Sequence, residues 1–134
     1  MRINTKGVMM GSALVLGAIG ISLTFLPQEI AAYIDPNHPT SFQILFQLLG
    51  ALYFACAMLN WMAKESVIGG IYNRPIAIAN FTHFLIGGLA LAKVVLRTSN
   101  LPLALPILAS VYTLFALLFG YIFYNNPTPA GKQA

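Results

Sequence analysis

Four long apolar stretches, parted by short breaks rich in proline, glycine or polar residues, take up nearly the whole chain. They cover residues 8–26, 41–63, 76–96 and 101–123. At about 1.5 Å per residue, each forms a helix long enough to cross about 30 Å of hydrocarbon with some tilt. A transmembrane β-barrel would alternate apolar and polar positions in segments of about ten residues, and these stretches do not alternate. Short connections favour antiparallel neighbours. The expected fold is therefore all-α, an integral membrane antiparallel four-helix bundle, with residues 1–134 as a single transmembrane domain.

The breaks support this division. Pro27 should stop the first helix, and Asp35, Pro36, Asn37, His38 and Pro39 should form a loop. Thr40 or Ser41 is placed to cap the second helix by accepting its orphan amide hydrogens. Gly69 and Gly70 mark the next connection, and Pro75 suits a first helical turn. Ser99 and Asn100 separate the third helix from the fourth, with Pro102 in the opening turn of the latter and Pro127 and Pro129 beyond its end. Pro106 falls deeper, where a missing donor should kink the helix.

Helical faces give the packing. In the third helix Asn80, His83, Gly87, Ala90, Val94 and Arg97 recur three and four apart, a stripe of polar and small residues expected to face protein. Phe81, Phe84, Leu85 and Leu89 are left for lipid or larger neighbours. The fourth helix repeats the device with Pro106, Ser110, Thr113, Leu117, Gly120 and Tyr124, and the first offers Ala13, Gly17, Gly20 and Thr24.

Composition and charge sharpen the picture. Hydrophobic residues make up 58% of the chain and charged residues 7%, against roughly 25% charged in an average soluble protein. So few charges cannot clothe a soluble surface. Arg2, Lys6, Lys64, Arg74 and Lys132 fall on one side of the predicted spans, while Arg97 and Lys93 belong to the other. Lysine and arginine concentrate on the cytoplasmic side, so both termini are expected there and the loop with Glu29 and Asp35 outside. The net charge of +4 then reflects topology, and no basic patch interleaved with aromatics points to nucleic acid. A secretory signal has an apolar core of about 7 to 15 residues; the first stretch exceeds this and reads as a retained span. Trp61, Tyr72, Tyr121 and Tyr124 fall near the cytoplasmic interface, as an aromatic belt requires.

Candidate chemistry is sparse. Counting inward at about 1.5 Å per residue puts Asn60 and Asn80 each about 6 Å inside the cytoplasmic face and His83 about 11 Å inside. Ser12 and Tyr121 approach the same layer from the first and fourth helices, giving a candidate cluster of Ser12, Asn60, Asn80, His83 and Tyr121. Its plain role is interhelical glue, at roughly 0.6 to 2 kcal/mol per bond. Its functional role is a polar pocket for the head of a lipid, quinone or other hydrophobic ligand, or a proton site at His83, the one ionisable group away from the interface. The sequon formed by Asn80, Phe81 and Thr82 lies within a span and is a chance match. Gln43 and Gln47, one turn apart near the outer end of the second helix, are expected to bond across to Lys93 or the loop.

Other chemistries lack their residues. Cys56 is the sole cysteine, so an intrachain disulfide and paired thiol redox chemistry are excluded. Glu29, Asp35 and His38 share the outer loop but read as a solvated turn rather than a metal site, and His38 and His83 belong to different depths. A hydrolase or transferase needs a nucleophile, a base and an orienting group, and Ser12 and His83 alone do not establish one. Glu29, Asp35 and Glu65 fall in loops or at interfaces, so a proton-coupled exporter lacks its embedded carboxylate.

The segments LLGALYFACAMLNWMA (48–63) and RPIAIANFTHFLIGGLALAK (74–93) resemble the small four-helix bacterial membrane proteins of the DoxX-like group. That resemblance implies a four-helix bundle of the bacterial inner membrane, and for some relatives an association with quinone-linked sulfur oxidation. The function expected is a non-enzymatic accessory or hydrophobic-ligand-binding subunit of a membrane assembly, with no catalytic residues, no metal and no cofactor other than a quinone or lipid. The alternative is a quinone- or lipid-binding component of a DoxX-like redox system. Expected partners are membrane lipids and either a second copy or another membrane protein.

Overall fold

A computed structural model describes residues 4–66 and 73–125. Arg2, Gly69, Gly70, Tyr72, Pro127, Pro129 and Lys132, each given a role above, lie outside the described residues. The described chain is helical and without strands. Its elements are α1 (Thr5–Phe25), α2 (Pro27–Ile34), α3 (Ser41–Ala63), α4 (Arg74–Arg97) and α5 (Ala104–Asn125). The four longer helices, of 21, 23, 24 and 22 residues, are each long and apolar enough to cross a membrane.

Local chemistry accounts for the differences from expectation. Pro27 ends α1 but also opens α2, an eight-residue helix where a loop was expected. Its fixed φ and missing amide suit a first turn, and Glu29 complements the positive end of the helix dipole there. Thr40 takes the N-cap position of α3 without a side-chain cap bond. The work passes to backbone carbonyls, with the amides of Phe42 and Gln43 donating to Pro39 and Thr40 at 3.0 and 3.1 Å. Because α5 begins at Ala104, Pro102 precedes it and Pro106 falls within its first turn. An amide at that position has no intrahelical partner to lose, so the reason for a kink disappears. Asn100 supplies the reversal between α4 and α5 with φ 67°, a left-handed conformation that asparagine tolerates better than most residues.

The chain divides into two compact units. In the unit Met9–Lys64, α1 and α3 meet through small residues, and their contacts run in opposite chain directions. The amide of Asn60 donates to the Ser12 hydroxyl at one end, Gly17 faces Ala57 in the middle, and Thr24 abuts Gly50 at the other. The expected stripe of Ala13, Gly17, Gly20 and Thr24 is the contact face. A Cβ on Gly20 would lie 2.7 Å from the Phe54 backbone nitrogen and 2.9 Å from the Gly50 carbonyl oxygen, so here backbone rests directly on backbone. Ala31 of α2 is buried in this unit, and Gln28 donates to Gln43 at 3.3 Å. Gln43 thus bonds to α2.

The other unit is built on α4 and α5, whose contacts also run in opposite directions: Arg74 stands over the Phe123 ring, Phe81 fills the space at Gly120, and Gly88 meets Tyr112. Their facing surfaces differ from the expected stripes. On α4 the buried residues are Ala77, Asn80, Phe84 and Gly88, whereas Ala90, Val94 and Arg97 are exposed. On α5 they are Ala109, Tyr112, Phe115, Ala116, Phe119 and Ile122, whereas Ser110, Thr113, Leu117 and Tyr124 are exposed. The reason is visible in the hydroxyls. Ser110 donates to the Pro106 carbonyl at 2.9 Å and Thr113 to that of Ala109 at 2.8 Å. Both are satisfied on their own helix and have no need of a facing one. Close to this unit's start, Lys6 and Glu65 pair at 2.7 Å; both are more than half exposed, so the pair adds under about 1 kcal/mol.

Candidate functional site

Phe84 organises the most distinctive side-chain cluster. It has no solvent exposure and stacks on Phe115 and Phe119, with ring centroids 4.9 and 5.7 Å away and interplanar angles of 25° and 7°. Tyr112 meets it edge-on at 5.2 Å and 71°. One helix contributes Phe84 and the other three rings at spacings of three and four, which places them on one face. Offset and edge-to-face pairs of this kind contribute about 0.5 to 1.5 kcal/mol each beyond their area.

His83 gives this aromatic wall its polar point. Its Nε2 lies 3.2 Å from the Tyr112 hydroxyl, with the donor set by the imidazole tautomer, while its ring packs edge-on against Phe84 at 5.2 Å and 78°. Gly87, one turn along α4, makes the arrangement possible. A Cβ there would fall 2.6 Å from Tyr112 Cε1, inside the space the ring now fills. Tyr112 is buried and His83 half-buried. This hydrogen bond joins the two helices.

The five expected site residues fall into two sets. Ser12 and Asn60 belong to the unit Met9–Lys64 and are brought together. Asn60 donates to Ser12 Oγ at 3.0 Å, and Ser12 donates to the Met9 carbonyl at 2.9 Å. Both residues are fully buried. The serine proton thus goes to a backbone acceptor on its own helix. Asn80, His83 and Tyr121 belong to the other unit. Asn80 is buried and donates to the Ile76 carbonyl at 2.9 Å, and Tyr121 is 38% exposed. The tyrosine 3.2 Å from His83 Nε2 is Tyr112, which does not belong to the expected cluster.

In the loop between α2 and α3 the polar residues are taken up by the turn itself. The Asp35 carboxylate accepts the Asn37 amide at 2.9 Å, and His38 Nδ1 donates to the Asp35 carbonyl at 2.9 Å. Among the described residues, no group of three or more His, Cys, Asp or Glu is placed to hold a metal ion. Lys64 lies with its ammonium 3.4 Å from the centre of the Trp61 ring, a cation–π contact that keeps it beside the aromatic residue of the same turn. Comparison with known proteins finds no matching family model, no matching curated protein and no matching solved structure.

Proposed function

We propose that this chain is a small multi-pass protein of the bacterial inner membrane, an antiparallel four-helix bundle with both termini cytoplasmic. In this reading it serves as a non-enzymatic accessory or hydrophobic-ligand-binding subunit of a membrane assembly. The supporting observation is that each of the four long helices carries exposed large apolar residues. Leu14, Leu48, Leu52, Ile86, Leu89 and Leu117 are each more than half exposed. In water so many exposed apolar side chains drive association; against lipid they carry no such penalty. Topology is tested by reporter fusions placed after Asp35, Ser66, Ser99 and the last residue, with an expected reading of outside, inside, outside, inside. A periplasmic C-terminus rules the orientation out.

One observation favours a second reading, a quinone- or lipid-binding component of a DoxX-like redox system. His83 is half-buried, and it stands at the edge of stacked rings with its hydrogen bond to Tyr112 beside it. A half-buried imidazole at the edge of aromatic side chains is the kind of polar group that positions the head of a flat, apolar ligand. Mild extraction followed by mass measurement of the intact particle separates the two readings. A stoichiometric protein partner or a second copy is expected from the accessory role, and a retained quinone from the alternative. Recovery only as a bare monomer under several mild conditions argues against both.

A further inference from the structure

The eight residues of α2 present three different surfaces. At about 3.6 residues per turn, Pro27 and Ala31 share one side, Gln28, Ala32 and Glu29 follow around the axis, and Tyr33, Ile30 and Ile34 complete the circle. Pro27 and Ala31 are buried, and the helix packs on α3. Gln28, next to them on the wheel, donates to Gln43 of α3 at 3.3 Å. Gln28, Ala32 and Glu29 are exposed and form the polar sector. Tyr33 and Ile34 are exposed as well and Ile30 is half-buried, yet these are large apolar residues, and Tyr33 stands at their border with Glu29.

Hydrogen bonds fix the level at which α2 sits. α1 runs into it without a tether: the Leu26 amide donates to the Ser22 carbonyl at 2.8 Å, and the Ile30 amide to that of Leu26 at 3.1 Å. Gln43, the partner of Gln28, is the third residue of α3, about 3 Å from the start of that helix at about 1.5 Å per residue. A helix about 12 Å long is thus held between the end of one candidate span and the start of the next. In the membrane reading that level is the headgroup boundary. An amphipathic helix there sinks its apolar side about 5 to 10 Å into the lipid and leaves its polar side in water, and tyrosine is enriched where the two meet.

We propose that α2 is an interfacial helix, lying on the membrane with Ile30, Ile34 and the Tyr33 ring among headgroups and upper acyl chains, Gln28, Ala32 and Glu29 toward water, and Pro27 and Ala31 toward the protein. The partner of its apolar side is the bilayer surface, and α2 sets the depth at which α1 and α3 ride in it. This placement rests on the membrane reading above, and a reporter at the middle of a span checks that reading separately.

Trp61 is the sole tryptophan, so single fluorescent reporters can be placed in a Trp61→Phe background: Tyr33→Trp on the lipid side of α2, Ala32→Trp on its water side, and Leu52→Trp at the middle of α3. All three positions are exposed, so the new ring displaces no packed neighbour, and circular dichroism shows that each variant keeps its helices. The full chain is reconstituted in phosphatidylcholine nanodiscs, which leave both membrane faces open to aqueous iodide, with acyl chains brominated either near the headgroup or near the chain end. Tyr33→Trp should be quenched more by bromine near the headgroup than by bromine near the chain end, and should be shielded from iodide. Ala32→Trp should be quenched by iodide and little by either bromine. Leu52→Trp should be quenched most by bromine near the chain end. A Leu52→Trp that no bromine reaches overturns the membrane reading and the proposal with it. When Leu52→Trp is quenched as expected, a Tyr33→Trp that iodide reaches and bromine does not overturns the interfacial helix alone. So does a Tyr33→Trp shielded from both, which means that a second copy or another protein covers that side, and so does equal behaviour of Ala32→Trp and Tyr33→Trp.

Discussion

Gly50→Ala should destabilise the α1–α3 pair by about 3 kcal/mol, at the top of the range for overpacking a close contact. The added Cβ meets Thr24 Oγ1 at 2.5 Å, the Gly20 carbonyl oxygen at 2.8 Å and the Thr24 nitrogen at 2.8 Å. A rotamer change relieves only the first of these. The other two are backbone atoms of a facing helix, so the helices must move apart along a line that also carries the bond between Asn60 and Ser12. Gly17→Ala is the control. Its Cβ lies at an ordinary 3.6 Å from the Ala57 Cβ, and alanine gains up to about 1 kcal/mol over glycine in helix propensity, so this change should be neutral or slightly stabilising. Reversible unfolding of both variants in mixed micelles checks the contrast. Equal stability of Gly50→Ala and the unaltered chain means that α1 and α3 do not approach as described.

The same contrast shows which parts of the structure the sequence made legible. Small residues at helical spacing carry information in a membrane protein because they mark where backbones meet, and Ala13, Gly17, Gly20 and Thr24 accordingly predicted the face of α1. Hydrophobicity carries much less, since lipid and a packed interior are both apolar. Phe84, Phe115 and Phe119 are therefore indistinguishable by type from Phe25, which is 76% exposed. Hydroxyls mislead for a further reason. Ser110 and Thr113 looked like interhelical glue, but a hydroxyl one turn from a backbone carbonyl needs no second helix.

Within the candidate site the legible and illegible residues are mixed. Ser12 and Asn60 announced themselves as polar groups at matching depth, and they bond. His83 was singled out, whereas its partner Tyr112 was not, because a tyrosine in an apolar helix is unremarkable on its own. The available signal was Gly87, four residues beyond His83, a gap on one helix that implies a large ring on another. α2 was hidden by the double meaning of Pro27, which ends one helix and begins the next. Glu29 in the following turn was the sign that the second meaning applied.

Phe84→Ala should cost about 3 kcal/mol and should weaken the α4–α5 pair more than any change on its outer face. In a water-soluble core the same truncation costs about 3 to 5 kcal/mol, part of which is the transfer of carbon from water to the interior. In the membrane reading that part largely vanishes, because the separated helices already lie among apolar chains. What remains is the cavity left by a side chain with no exposure, together with the ring pairs to Tyr112, Phe115 and Phe119. Each such pair contributes about 0.5 to 1.5 kcal/mol, so the loss stays near the lower end of the soluble range. The Tyr112 ring then has free space on the Phe84 side, and its bond to His83 should loosen with it. Leu89→Ala, at a position 64% exposed, removes a side chain that lipid can replace and should change stability by less than about 0.5 kcal/mol. Unfolding in mixed micelles measures both. Equal losses in the two variants would mean that α4 presents no preferred face to α5, and the stacked rings would not be the core of this pair.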